Sequence, residues 1–424
     1  MNDKYKSRLI DDTVKKYLSI FGAVCIEGPK WCGKTWTSRH HCNSEILIGS
    51  PEGNFQNRRL AELAPSTVLE GTVPRLIDEW QEVPPLWDAV RYEVDKRATP
   101  GQYILTGSST PKHKGINHSG AGRIARLKMR PMSLFESGHS SGIISLKELC
   151  EGQITPKLTG EVSLESLAEY IIRGGWPGNQ DIPIKDAGLI PSEYIKAIIE
   201  DDVHRIDDLP KNRQKIKLLL RSLARNESTT VSNKTLKNDI KEIDDEDIDT
   251  RTIASYLDIF ERLFLIENQK PFASNIRSSV RVKQSEKRHF IDPSLACALL
   301  QLNTEKMIGD LNTFGFLFEG LVERDLRIYA ETFGGKLYHY QNYLNQELDA
   351  VIELEDGSWC AFEIKLGANQ IDAAAKNLIK IKNQIEKEEK GRPPKVLCII
   401  CGLTNAVYKR EDGVFVVPLT ALKN

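Results

Sequence analysis

Ile26-Glu27-Gly28-Pro29-Lys30-Trp31-Cys32-Gly33-Lys34-Thr35 has the spacing G-x-x-x-x-G-K-T, the form of a backbone loop that cradles phosphate oxygens. The run Phe21 to Ile26 before it is short and apolar, as a buried strand is, and Thr35 to Arg39 after it reads as the first turn of a helix. Between a strand and a helix, the amides of Lys30 to Lys34 turn inward on an anion and the helix N-terminus adds its dipole. Gly28, Pro29, Lys30, Trp31, Cys32, Gly33, Lys34 and Thr35, with Trp36 beyond them, are therefore the expected nucleotide cradle. Lys34 is expected on the β- and γ-phosphates and Thr35 on Mg²⁺. An ordinary glycine turn is the alternative, so partner motifs must decide.

Pro74-Arg75-Leu76-Ile77-Asp78-Glu79-Trp80-Gln81 supplies the first partner. A short apolar strand ending in Asp-Glu suits Asp78 to hold Mg²⁺ through a water and Glu79 to orient or activate the attacking water. Pro84 and Pro85 then start a helix whose buried stripe is Leu86, Val90 and Val94. Gln102 to Ser109 reads as another buried strand. In a parallel sheet ligands collect at the carboxyl ends of strands, which puts Thr106 and Ser108 by the γ-phosphate, with a simple turn as the rival. Arg123 and Arg126, in the basic strand Gly122 to Pro131, are candidates to stabilise phosphoryl transfer in their own chain or a neighbouring one. A solvated, charged strand edge explains them as well.

The phosphate loop, Ile77-Asp78-Glu79-x-Gln81, Leu105-Thr106-Gly107-Ser108 and the Gly122-Arg123-Ile124 to Phe135-Glu136 stretch resemble an AAA-type ATPase domain. That domain occurs in a prokaryotic family joined to a C-terminal region of unknown function, DUF4143. Ile172-Arg173-Gly174-Gly175-Trp176-Pro177 and the pattern Phe318-Glu319…Glu363-Ile364-Lys365 look like the rest of that family. The resemblance covers nearly the whole chain. It implies ATP binding, a winged-helix module, and a DUF4143 region over roughly 190–370, but no settled biological role.

Composition narrows the setting. The 424 residues suggest several domains, and 58 Lys and Arg against 59 Asp and Glu leave no global field to draw the protein onto nucleic acid. No apolar run reaches membrane-span length, and the N-terminus has no apolar signal core. Eight scattered cysteines fit free thiols in a reducing cytoplasm, with Cys398 and Cys401 read as core.

In the middle, residues 212–225, Asn233 to Ile240 and a Thr250-capped helix bearing Ile253, Leu257, Phe260 and Phe264 make three helices. Leu265 to Gln269 and Arg288 to Asp292 then read as wing strands. The acidic run Lys241 to Asp249 would repel DNA, whereas Arg277 to Arg288, with five positive charges and one negative, suits phosphate contacts. DNA contact and a purely protein-protein role remain open at this point.

At the C-terminus, a helix over 312–330 carries Glu319, and two strands meet at Asp356-Gly357. Asp349, then Glu363-x-Lys365, is the PD-(D/E)xK nuclease pattern, in which two carboxylates hold Mg²⁺ and the lysine positions or activates a water. Glu319 joins Asp349 and Glu363 as a candidate metal ligand. The bare pattern is weak, since Asp372…Glu388-x-Lys390 is a decoy in a charged, helix-like stretch. Register decides instead. A two-residue loop puts Asp349 opposite Ile364, a three-residue loop with a glycine bulge puts it across from Glu363 or Lys365, and carboxylates more than about 8 Å apart would make a shared metal untenable.

The expected architecture is α/β: an AAA-type P-loop sheet over 1–140, a helical connector over 141–210, a winged helix over 211–292 and a restriction-endonuclease-like α/β domain over 293–424. The expected function is a cytoplasmic Mg²⁺-dependent ATPase whose nucleotide cycle gates a DNA-binding or nuclease-like module. The alternative is a nucleotide-dependent switch with an inactive, protein-binding C-terminal half. ATP, DNA, a second copy or a partner protein, and no membrane, complete the expected partners.

Overall fold

A computed structural model describes residues 5–110, 115–206, 212–241, 248–275, 277–342, 344, 346–388 and 391–424, without the side chains of Val282 and Lys283. Most of the acidic run after Lys241, together with Asn345 and Lys390, lies outside the described residues. Against the expected four segments, the chain groups into two compact units. One comprises Met1–Pro131, Glu200–Lys211 and Asp258–Leu265, and the other Met132–Ile199, Asn212–Leu257 and Ile266–Asn424. The first unit thus takes back two later stretches of chain that the composition did not mark.

In the first unit, strands β1 (Ala23–Glu27), β2 (Ser44–Leu47), β3 (Arg75–Asp78), β4 (Tyr103–Gly107) and β5 (Ile124–Lys128) form an all-parallel sheet in the order β2-β3-β4-β1-β5. β1 is buried along its whole length because the sheet is covered on both faces. Its alternate residues serve two cores. Ala23 and Cys25 join Ile77, Leu105, Trp87 and Val90, while Val24 and Ile26 join Leu76, Ile104 and Val14. Helix Leu86–Arg97 buries Leu86, Val90 and Val94 as its spacing predicts, and Trp87 as well.

In the second unit a seven-stranded mixed sheet carries β7 (Lys157–Leu158), β8 (Lys336–Gln341), β9 (Glu347–Glu353), β10 (Trp359–Gly367), β11 (Val396–Leu403), β12 (Ala406–Lys409) and β13 (Phe415–Pro418), ordered β7-β12-β13-β11-β10-β9-β8. A parallel pair, β6 (Ile144–Ser145) with β14 (Leu422–Lys423), stands apart from it. β11 lies in the sheet's interior between β10 and β13, which accounts for its continuous apolar run. Cys398 and Cys401 are buried free thiols within it, as read.

Helices Arg213–Arg225, Asn233–Lys241 and Thr250–Arg262 match the three expected in the middle. Asp249, not Thr250, caps the third, its carboxylate accepting from the Arg251 amide at 3.0 Å. The expected wing strands meet only at isolated antiparallel bridges, Ile266 with Phe290 and Gln269 with Lys287.

The Gly174-Gly175 break serves close backbone approach inside the second unit. A Cβ on Gly175 would lie 2.1 Å from the Met132 carbonyl oxygen, and Gly174 has φ +66°. The Gly175 amide donates to Asp292 at 2.9 Å, and Asp292 in turn accepts from Arg324 at 2.7 Å. Arg324 also donates to Asp325 at 2.7 Å, with all three charged residues buried. Replacing Arg324 with Met would leave two buried carboxylates without their counter-charge. We expect a loss of about 3–5 kcal/mol in urea unfolding of this unit, and a loss below about 1 kcal/mol would refute the assignment.

Candidate functional site

The loop after β1 ends at Gly33 (φ +106°), from which helix Lys34–His41 starts. Gly28 has no room for a side chain, since a Cβ there would lie 2.1 Å from the Met129 carbonyl oxygen. Trp31 holds a left-handed φ of +68°, the kind of backbone cost that ligand loops carry. Lys34 is buried, and its Nζ donates to the carbonyls of Gly28 at 3.0 Å and Pro29 at 2.8 Å. Its ammonium therefore lies over the loop where phosphate charge is expected. Lys30 donates to Asp202 at 2.6 Å, a partner brought back by the returning segment Glu200–Lys211. Trp31 and Trp36 are both half exposed beside the cradle.

Behind the loop, Asp78 stands at the carboxyl end of β3. Its Oδ1 accepts from the Thr35 hydroxyl at 2.8 Å and the Thr106 hydroxyl at 2.7 Å. Burial pushes the Asp78 carboxyl above the usual range, and the Thr106 and Thr35 hydroxyls pull it back. Hard oxygens from Thr35 and Asp78, side by side, fit Mg²⁺. Glu79 takes a left-handed backbone (φ +58°), and its amide donates to Thr106 Oγ1 at 2.9 Å. Its carboxylate accepts from Ser108 at 2.8 Å and from the Gln81 amide. Gln81 also donates to Ser108 at 3.2 Å, so Glu79 is held by two neighbours rather than left to rotate.

Arg123 is not part of this group. It precedes β5, level with the amino end of β1, and donates to Asp95 at 2.8 Å. The cradle is at the other end of the strands, so an own-chain role on phosphate is excluded by placement. Arg126 pairs with Glu27 and lies 4.3 Å from the Trp87 ring centroid.

Residues 21–137 match the AAA domain family, 314–422 match DUF4143, a domain of unknown function, and 164–306 match a second domain of unknown function, DUF8612. The chain carries an AAA domain followed by a DUF4143 domain. The DUF4143 match begins well beyond the expected start near 190, and DUF8612 occupies much of the stretch between. The chain is 25% identical over 353 residues to Uncharacterized protein Rv2008c of Mycobacterium tuberculosis, covering 81% of this chain and 70% of that one. The same figures hold for Uncharacterized protein Mb2031c of Mycobacterium bovis. Among solved structures it resembles the Walker-type ATPase PABY2304 of Pyrococcus abyssi at 13% identity, over 70% of this chain and 97% of that one, with a TM-score of 0.44. An AAA domain is a nucleotide-binding ATPase domain, and among the described residues no helix is long and apolar enough to cross a membrane.

The DUF4143 domain holds the second constellation. β9 and β10 pair antiparallel from Trp359 with Glu353 through Phe362 with Ala350, and Gly357 (φ +78°) completes a three-residue loop between Leu354 and Ser358. The next step of that register sets Asp349 across from Glu363, the arrangement that the three-residue loop predicts. Lys365 Nζ lies 2.9 Å from Asp349 and 2.6 Å from Glu363, so the two carboxylates are well inside the 8 Å limit. The Ile364 amide donates to Asp349 at 2.7 Å, and Asn377 donates to Glu363 at 2.7 Å.

Glu319 reaches the same cluster through Lys287, whose Nζ is 2.6 Å from Glu319 and 4.0 Å from Asp349. Among the described residues, no group of three or more acidic, His or Cys side chains is disposed to hold a metal. The expected ligand set Glu319, Asp349 and Glu363 is thus gathered into a chain of ion pairs and not into a metal cage. The physical reason is that two ammonium groups stand between the carboxylates. Lys287 and Asn377 were not foreseen as site residues. Lys287 was read as one charge of a surface run, and only its burial tells otherwise. Arg281 of that run is likewise committed, to Glu353 at 2.8 Å, so the basic stretch presents fewer free charges than its sequence suggests.

Burial and the nearby Asp349 carboxylate push Glu363 up to about 8, against the pull of Lys365 and Asn377. Burial, opposed by Lys287 and aided by Asp349, takes Glu319 to about 7. Burial alone would raise Asp349 too, but Lys365 and Lys287 hold it below the usual range. A carboxyl that keeps its proton longer when folded stabilises fully below its ordinary pKa, and that contribution is lost as pH rises through the folded value. Stability is therefore expected to fall between about pH 4.5 and 8, and Glu363→Gln to flatten that fall. Urea midpoints at pH 5 and pH 8 test this, and an unchanged slope in the variant would refute it.

Proposed function

We propose that this protein is a Mg²⁺-dependent ATP hydrolase that works as a nucleotide-driven switch. The observation that carries this reading is the Asp78 carboxylate, bonded at once to Thr35 from the phosphate loop and Thr106 from β4, with Glu79 held beside it by Ser108 and Gln81. Thr35 and Asp78 would hold a magnesium ion, which when bound would neutralise charge on the phosphates. Lys34 leaves the carbonyls of Gly28 and Pro29 for the β- and γ-phosphate oxygens. The amides of the loop from Gly28 to Gly33 bind the remaining oxygens, with Trp36 flanking them. Glu79 orients the water for attack, and Ser108 keeps its carboxylate aimed at the γ-phosphate. Arg123 is left to act, if at all, on a neighbouring copy.

Substituting Glu79 with Gln is expected to lower turnover by about 10²-fold or more with ATP still bound, whereas Lys34→Ala loses binding itself. Phosphate release and nucleotide titration on the same preparations separate the two. Unchanged turnover in Glu79→Gln would leave only a nucleotide-binding switch.

The nucleotide cycle is read as acting on the DUF4143 half, in the cytoplasm. Two forms of this reading differ in what that half does: a DNA-binding or nuclease-like module built on Asp349, Glu363 and Lys365, or a partner-binding module without chemistry. Lys287 supports the second, because its ammonium pairs with Glu319 at 2.6 Å and lies 4.0 Å from Asp349, two of the carboxylates that cleavage would need for a metal. Wild-type protein with ATP and Mg²⁺ is accordingly expected to leave linear, nicked and single-stranded DNA intact. Mg²⁺-dependent cleavage that disappears in Glu363→Ala would reverse the preference.

A further inference from the structure

The carboxylates of the DUF4143 domain leave two gaps that a shared divalent ion would bridge, one between Glu319 and Asp349 and one between Asp349 and Glu363. Each gap holds an ammonium. The two lysines are not equivalent. The Lys365 side chain is 24% exposed and extends from the motif strand itself, so it can swing toward solvent. The Lys287 side chain is 4% exposed, and its root is fixed. Its backbone exchanges hydrogen bonds with Gln269 at 2.9 and 2.8 Å. The Gln269 side chain donates in turn to the carbonyls of Tyr338 on β8 and Asp349 on β9. Lys287 also comes from the stretch matched by DUF8612, outside the domain whose carboxylates it meets.

We propose that Lys287 is the resident cation of this centre, an ammonium in the position where a divalent ion would join Glu319 to Asp349, so that the centre takes no metal while Lys287 is seated. Like charges cannot share that gap, because a divalent ion next to a buried ammonium would lack the carboxylate contacts that offset its dehydration. The five groups Glu319, Lys287, Asp349, Lys365 and Glu363 alternate in sign and nearly neutralise one another. The inference rests on reading the C-terminal half as non-cleaving, and it names the residue responsible.

Mn²⁺ binding to the full-length protein without nucleotide, followed by paramagnetic resonance and calorimetry, tests it. Wild type and Asp349→Asn are expected to bind Mn²⁺ identically. Lys287→Met is expected to gain one Mn²⁺ site at least about tenfold tighter than any in wild type, and to lose it when Asp349→Asn is added. The magnesium position on Thr35 and Asp78 is common to all of these proteins and cancels in the comparison. A wild-type Mn²⁺ site that vanishes in Asp349→Asn would overturn the proposal, and that comparison stands even if Lys287→Met fails to fold. A folded Lys287→Met with no added site would overturn it too. Asp349-dependent Mn²⁺ binding by wild type without DNA cleavage would sink this inference alone, whereas cleavage would sink the non-cleaving reading with it.

Discussion

The buried guanidinium of Arg324 is the constraint on which the second unit depends. An arginine and two aspartates out of water are costly, and they persist only when every lone pair and proton is matched. Here Asp292 accepts from Arg324, the Gly175 amide and the Ser294 amide, and Asp325 accepts from Arg324 and the Leu134 amide. One guanidinium thereby ties together chain from four distant stretches. It also sets the two elements that build the acidic centre. Helix Leu311–Glu331 carries both Arg324 and Glu319, and the chain that ends at Asp292 carries Lys287. Arg324 and Asp292 thus join the helix of Glu319 to the segment of Lys287.

The first unit is governed by strand polarity. With five strands all parallel, one end of the sheet collects every strand's carboxyl terminus, and Gly28, Asp78 and Thr106 fall there by topology. Hydroxyl groups from the first turn of the helix after β1 and from the end of β4 then converge on one carboxylate. The same polarity removes Arg123, which lies at the opposite end. A basic residue in the right stretch of sequence is of no use to phosphate if its strand presents it at the wrong end.

This explains what could be read from the chain alone. The phosphate loop was legible because its glycines and lysine are local chemistry at fixed spacing, and Asp78-Glu79 because an apolar strand ending in acids has few other readings in that context. The three-residue loop at Gly357 was legible as a choice between two registers, and the partners of Asp349 then selected one. The return of Glu200–Lys211 to the first unit was not legible, since Lys30 and Asp202 pair at a separation of 172 residues and leave no periodic trace. Nor was the burial of Lys287. In sequence it is one more cation in a basic run, and only the bridge to Gln269 and the position of Glu319 turn it inward.

The two centres treat carboxylates in opposite ways, and the difference is chemical. Asp78 is satisfied by hydroxyl groups, which donate hydrogen bonds without carrying charge, so its negative charge stays available to a cation arriving with nucleotide. Asp349 is satisfied by ammonium groups and an amide, which spend its charge within the fold. Hydroxyl neighbours keep a site receptive to charge, whereas ammonium neighbours close it. On that distinction the Asp78 carboxylate of the AAA domain keeps its charge among neutral donors, while the acidic residues of the DUF4143 domain are paired with Lys365 of their own strands and with Lys287. A motif that names only the carboxylates cannot tell these two outcomes apart, because the deciding residue belongs to neither strand of the motif.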